Sequence, residues 1–373
     1  MQMMVKFASF LKSTGAAANI VILSFAAFLG AAHSASEKAG DGDVREVSSS
    51  PLSNLSATIV EQYPSVRALA VAQENCVVFD YYRKDIGSET QSPVFSVTKS
   101  VLSILVGIAI DEGFLRLDET LSEVFPEEFD ETVDPRARDI TVRDLLTKTE
   151  GFDEGVWEFN PGPRVNVSAG PTRNQEAWRW MLNRPVKYPG GVHFRYDEIG
   201  SDLLSVVLST AIKQSASDFA KQRLFGPLHI ENYTWHSDAE GHLRGERGLH
   251  LTARDMAKIG ILYLQHGRWG DVQVVSDAYL RDSTTKHNDG GPPLKAAYGY
   301  QWWITETGTD LAAFFAAGWK SQLIYVVPNR DLVFSIASDN SVPGGSRKFI
   351  DDVVLPAAME LSKSEKCVAP GAQ

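Results

Sequence analysis

A serine and a lysine three residues apart, Ser96 and Lys99, stand just before the apolar run Val101-Leu102-Ser103-Ile104-Leu105-Val106-Gly107-Ile108-Ala109-Ile110. Pro93 and Phe95 close an extended segment, and from Ser96 onward the pattern predicts an apolar helix ending near Gly113. Three residues are about 300° of turn and roughly 4.5 Å of rise, so both side chains lie on one helix face. A lysine held one turn from a serine, at the positive end of a helix, is an arrangement for making an alkoxide. The spacing alone is weak, because a chain this long should hold about one or two such pairs by chance. It holds three: Ser9/Lys12, Ser96/Lys99 and Ser283/Lys286. Only Ser96 stands at a strand-to-helix junction. On these residues alone, Ser96 as a simple helix cap and Lys99 as a surface lysine remain open.

The elements that must hold such a pair follow from periodicity. Leu52 to Tyr63 reads as a short helix. Val66–Gln73 and Cys76–Tyr82 are β-branched and apolar runs separated by Glu74-Asn75, which predicts a hairpin. Thr141 to Thr147 begins another helix with Thr141 as cap, and Gln175 to Asn183 is amphipathic. Ile199 to Gln214 carries Leu203, Leu204, Val207, Leu208, Ala211 and Ile212 at helical spacing. Helices are also expected over Phe219–Leu224 and Ala253–His266. The character then changes to short strands at Tyr298–Ile304, Phe314–Ala317, Gln322–Val327 and Leu332–Ser338, with a last helix over about Arg347–Ser362. Strands therefore occur at both ends with helices between. The fold class expected is α/β (α+β). One antiparallel sheet is built from both chain ends (51–95 and 292–368) with flanking helices, and a mainly helical region (96–291) is inserted. The Ser96 helix would lie at the junction, where clefts form.

The composition narrows the function. The 373 residues are 43% hydrophobic and 22% charged, an ordinary globular balance. A net charge of −11 opposes non-specific binding to nucleic acid or anionic membranes. Lys6 and Lys12, the mostly apolar stretch 16–28 and Ala32-His33-Ser34 read as a signal peptide over 1–34. Residues 35–50 read as a flexible leader, and the mature chain as exported to the periplasm or medium and free of membrane spans. Two cysteines, Cys76 and Cys367, permit one disulfide there. No Gly-x-Ser-x-Gly elbow, His-Glu-x-x-His, P-loop or Gly-x-Gly-x-x-Gly is present, and no metal or cofactor is implied.

Six stretches taken in order resemble the serine β-lactamase and penicillin-binding-protein superfamily, whose first motif is Ser-x-x-Lys. They are Phe95-Ser96-Val97-Thr98-Lys99-Ser100, Ile140-Thr141-Val142-Arg143-Asp144-Leu145-Leu146-Thr147 and Phe194-Arg195-Tyr196. Leu251-Thr252-Ala253-Arg254-Asp255-Met256-Ala257, Tyr298-Gly299-Tyr300-Gln301-Trp302-Trp303 and Ala317-Gly318-Trp319-Lys320-Ser321-Gln322 complete the set. The similarity runs from about Val66 to Pro356. It is closest to the branch of class C β-lactamases, family VIII carboxylesterases and 6-aminohexanoate-dimer hydrolases. The resemblance implies Ser96 as nucleophile, and Lys99 and Tyr196 as the proton-handling pair, with a lowered lysine pKa. It also implies the backbone N–H groups of Ser96 and Trp319 as the oxyanion hole, with Gly318 letting that strand come close.

Two departures shape the substrate. Where the family's second motif reads Tyr-x-Asn, this chain reads Tyr196-Asp197-Glu198; where the third reads Lys-Thr-Gly or His-x-Gly, it reads Ala316-Ala317-Gly318. The resemblance implies that the lost asparagine and cation would have met a β-lactam's amide and carboxylate. Lys320 and Arg195 are candidates for a substitute charge. Trp157, Trp303 and Trp319 could wall an acyl pocket or pack in the core, and Glu198 could take over the asparagine's polar role or face solvent. The expected function is a cofactor-free serine hydrolase that forms an acyl-enzyme on a small carboxylic ester or linear amide. Alternatives are a D-stereospecific peptidase or weak β-lactamase on cell-wall-related substrates, and a catalytically decayed binding protein on the same fold. The expected partner is a small-molecule substrate, and the oligomeric state is left open.

Overall fold

The computed structural model of the chain describes residues 51–361 apart from 132, 154–176, 306–310 and 341–344. The expected signal peptide and leader, Trp157 and Cys367 lie outside the described residues. Cys76 is disulfide-bonded. No helix among the described residues is long and apolar enough to cross a membrane.

An eight-stranded sheet takes its strands from both ends of the chain. They are β1 (Val66–Gln73), β2 (Cys76–Tyr82), β3 (Asn288–Gly291), β4 (Ala296–Tyr298), β5 (Trp303–Ile304), β6 (Phe314–Gly318), β7 (Gln322–Val327) and β8 (Leu332–Ser338). Their order is β2-β1-β8-β7-β6-β5-β4-β3. The closure of the two ends is the antiparallel pairing of β1 with β8, from Val66 opposite Ser338 to Gln73 opposite Leu332. Strand periodicity then sorts side chains to two cores. Ala68, Ala70, Ile324, Val326, Val333 and Ala337 face one core. Leu69, Val71, Leu323, Tyr325, Phe334 and Ile336 face the other. Both faces are covered, so these strands read as nearly continuous apolar runs rather than alternating ones.

Helix α1 (Leu55–Gln62) and the helical segment 345–359 cover the second core, with Tyr63 and Phe349 rings 4.3 Å apart. The first core holds α2 (Val97–Asp111), α3 (Val142–Thr147), α4 (Ile199–Ile212) and α5 (Ala253–Leu264). Helix α5 packs on β1, β7 and β8, while α2 lies against β6, β7, α4 and the Asp277–Ser283 helix. Every residue of α2 from Val97 to Ala109 is buried, which accounts for a helix apolar on all sides.

Three elements differ from expectation. Tyr298–Ile304 is two strands rather than one, because Gln301 is left-handed at φ 61° and the chain turns back on itself, Gly299 N–H donating to Trp302 O at 2.9 Å. The sheet also takes in β3, so its later chain segment starts at Asn288, four residues before the expected 292. Asp277–Ser283 is a helix capped by Ser276, whose hydroxyl accepts from Tyr279 N–H.

Candidate active site

Residues 92–96 turn an extended segment into a helix abruptly. Ser92 and Pro93 pair with Leu251 and His250 in a small sheet, and Val94 N–H donates to Leu249 O at 2.9 Å. Phe95 then takes φ 49°, a left-handed conformation that bulky residues rarely hold. Ser96 follows as the residue that opens α2, yet its hydroxyl makes no capping bond to the helix. It faces two other groups. Lys99, 1% exposed, donates from Nζ to Ser96 Oγ at 3.1 Å and to the Glu246 carbonyl at 2.9 Å. The half-buried Tyr196 places its hydroxyl close enough to the same serine to act on its ionisation, and its ring centroid is 5.3 Å from Lys99 Nζ.

Burial pushes the Tyr196 hydroxyl up to about 12; the Ser96 hydrogen bond and the charge of Lys148 pull against this, and Glu198 and Asp197 add to it. An uncharged phenol is therefore the resting form near neutrality. Its ring rests on Trp303 (centroids 5.1 Å apart) and meets Tyr298 edge-on at 6.1 Å.

The end of β6 forms the opposite wall. A methyl group on Gly318 would lie 2.2 Å from Val94 O and 3.2 Å from Ser96 N. Only glycine lets this strand approach the serine's backbone so closely. The next turn carries Trp319, partly exposed, then Lys320 and Ser321, both left-handed at φ 60° and 62°. Buried Gln322 fixes that turn. Its Nε2 donates to Trp319 O (3.3 Å), Lys320 O (3.2 Å) and Ser338 O (2.6 Å), and its Oε1 accepts from Ser338 N–H.

The structure thus brings Ser96, Lys99, Tyr196 and Gly318 together. Trp303 is 2% exposed and supports Tyr196 from behind instead of offering a free surface. Glu198 is half-buried at the start of α4, close enough for its charge to act on both Tyr196 and Glu246. Lys320 is exposed, and Arg195 N–H is engaged by the Lys148 carbonyl at 2.9 Å. The third Ser-x-x-Lys pair comes apart: Ser283 is buried and donates to Leu280 O, whereas Lys286 pairs with exposed Asp289. No group of three or more His, Cys, Asp or Glu residues is placed to hold a metal among the described residues.

Sequence reasoning missed Gln322, Glu246 and the buried residues Lys148, Glu150 and Asp197. Glu246 Oε1 accepts from Arg244 and Arg247, each at 2.8 Å. Burial, followed by the charges of Asp202 and Glu198, pushes its carboxyl up to about 7. The charged run Arg244-Gly245-Glu246-Arg247 was its only trace in the sequence.

Residues 56–359 match the family described as Beta-lactamase. The chain belongs to the beta-lactamase family. Within it this is a class C-like serine hydrolase chain. The 6-aminohexanoate-dimer hydrolase of Paenarthrobacter ureafaciens is 23% identical over 282 residues, covering 71% of this chain and 70% of that protein. Among solved structures, EstCE1, described as a hydrolase with promiscuous acyltransferase activity, has a TM-score of 0.65 at 15% identity, covering 83% of this chain and 96% of that one. A penicillin binding protein from Bacillus halodurans has a TM-score of 0.62 at 16% identity, covering 80% and 98%. These last two establish the shared fold.

Proposed function

We propose that this beta-lactamase-family hydrolase forms an acyl-enzyme through Ser96 on small carboxylic esters, with linear amides next in order. The observation that carries the reading is the convergence on one residue, Ser96, whose Oγ accepts from Lys99 Nζ (3.1 Å) and lies close enough to the Tyr196 hydroxyl to act on its ionisation. Ser96 Oγ attacks the carbonyl carbon as its proton passes to the Lys99 amine. The oxyanion is received by the N–H groups of Ser96 and Trp319, which Gly318 keeps close together. As the tetrahedral intermediate collapses, Tyr196 gives its proton to the leaving alcohol or amine and is reprotonated by Lys99. Water then enters and runs the steps in reverse, releasing the acid and restoring Ser96.

Esters come first because an alkoxide or phenoxide leaves with less proton assistance than an amine. The relative named for a linear amide substrate, the 6-aminohexanoate-dimer hydrolase, supports amides as the second class. Glu198 in place of the second-motif asparagine, and Ala316 in place of the third-motif cation, weigh against β-lactam acids. Mass spectrometry after a fluorophosphonate probe tests the reading. One adduct is expected on Ser96, absent from Ser96→Ala, together with turnover of p-nitrophenyl esters. Absence of both on the native protein points instead to a binding protein on a hydrolase fold.

A further inference from the structure

Behind Tyr196 lies a set of ionisable side chains that the reaction above does not use. Lys148 is fully buried and donates from Nζ to Asp197 Oδ1 at 3.1 Å; Asp197 is 6% exposed in its side chain. Gly200 N–H, in the first turn of α4, donates to the same oxygen at 3.0 Å. Glu150 is 2% exposed, and no donor reaches either of its oxygens. A methyl on Gly200 would fall 1.9 Å from Glu150 Oε1 and 3.4 Å from Asp197 Oδ1, so the two carboxyls converge on one point. An ionised Glu150 would be stranded there. As the neutral acid it has an O–H to give, with Asp197 as the acceptor beside it. Burial, then the Asp197 charge, pushes Glu150 well above the usual carboxylate range. Burial also acts upward on Asp197, but Lys148 and the bond from Glu150 outweigh it and hold that carboxyl low. The cluster therefore contains one cation, one anion and one neutral acid, with no net charge.

We propose that Lys148, Asp197 and Glu150 are positioning residues for Tyr196, a buried charge-balanced cluster that fixes its segment and sets the electrostatic potential at its hydroxyl. Two backbone segments meet here. Arg195 N–H donates to Lys148 O (2.9 Å), Gly191 N–H to Thr149 O (3.0 Å) and Lys187 N–H to Gly151 O (2.8 Å). That seam alone would hold the chain. Buried ions add a desolvation cost that apolar side chains would avoid, so a purely structural seam has no need of them. What the ions add is a field. The charges acting on Tyr196 are Lys148 and Asp197 behind it and Glu198 beside it, with Glu246 close to Glu198. Removing the Lys148 charge would leave that surrounding set markedly more negative and disfavour phenolate at the moment Tyr196 gives up its proton.

The inference rests on Tyr196 acting in the acyl-enzyme reaction, and its test is separable from that reading. Turnover of a linear amide, whose amine must take the Tyr196 proton, is measured against turnover of a p-nitrophenyl ester, with fold and melting temperature checked for each variant. Lys148→Met, which leaves the cluster at one negative charge, is expected to lower kcat on the amide about fivefold relative to the ester with little change in KM. Lys148→Met with Asp197→Asn restores neutrality and should return the amide-to-ester ratio toward its wild-type value. Asp197→Asn with Glu150→Gln leaves Lys148 as the lone charge and should raise the ratio, which keeps the test open should Lys148→Met fail to fold. A ratio that stays at the wild-type value in every folded, active variant would overturn the proposal. Failure of the reaction scheme itself would show differently, as a wild-type protein with neither turnover nor a Ser96 adduct.

Discussion

Tyr196 reaches neutral solution with its proton on, since burial pushes its hydroxyl up to about 12. Its service is therefore to supply a proton, and the demand for one depends on the leaving group. An amine must be protonated to leave, whereas a nitrophenoxide needs little help. Tyr196→Phe is expected to lower kcat on a linear amide by about 10²–10⁴-fold and on a p-nitrophenyl ester far less. Equal losses on the two substrates would contradict the assignment. Glu198 addresses charge in the substrate instead. Half-buried and close to Tyr196, it repels an anionic group brought to that wall. Glu198→Gln should raise kcat/KM for an ester bearing a carboxylate, relative to its neutral counterpart, by about fivefold, or about 1 kcal/mol. A salt series checks that the gain is electrostatic, because it should shrink as ionic strength rises.

Elements deliver these residues with different visibility in the sequence. Helix α2 was legible because it is surrounded and hence apolar on all sides, and its strand-to-helix start singled out Ser96. Helix α3 was legible from its cap. Thr141 accepts from Asp144 N–H while the Asp144 carboxylate accepts from Thr141 N–H, so Thr141→Ala should cost about 1 kcal/mol in denaturant unfolding. The Lys148–Asp197–Glu150 cluster was not legible. Lys148 and Asp197 are 49 residues apart, and nothing local distinguishes a buried lysine from a solvated one. Gln322 was hidden for a related reason, since a polar residue opening β7 gives no sign that its amide holds the preceding turn. Gln322→Leu keeps the bulk but frees the Trp319 and Lys320 carbonyls. Where Trp319 N–H receives the oxyanion, kcat should fall by about 10²-fold with the unfolding midpoint much less affected. A loss confined to KM would place Gln322 in binding rather than in the oxyanion turn.

At the scale of the molecule, both chain ends make the sheet and the region between them carries most of the polar cluster, so chemistry is concentrated where the two cores meet. The end strands could be read because both faces of the sheet are covered, whereas Gln301 broke the Tyr298–Ile304 strand by binding across helices. Its carbonyl accepts from Ser100 in α2, its Oε1 from Ser201 in α4, and its Nε2 donates to Leu145 O in α3. Concentrating ionisable groups at such a junction leaves a mark on stability. The native state holds the Glu150 proton more tightly than the unfolded chain does, because burial and Asp197 raise its pKa. Between the two pKa values unfolding releases that proton, so stability is full below the ordinary carboxylate range, about pH 4, and falls as pH rises above it. Glu246 and Asp202 are also pushed up, chiefly by burial, and act in the same direction. The comparison that isolates Glu150 is wild type against Glu150→Gln, in which the other two groups are common to both. The amide has no proton to lose, so the variant's melting temperature relative to wild type should be level up to about pH 4 and climb as the pH is taken from there through neutrality. A difference that is flat over this range would mean that Glu150 is ionised in the folded protein and that the cluster carries a negative charge.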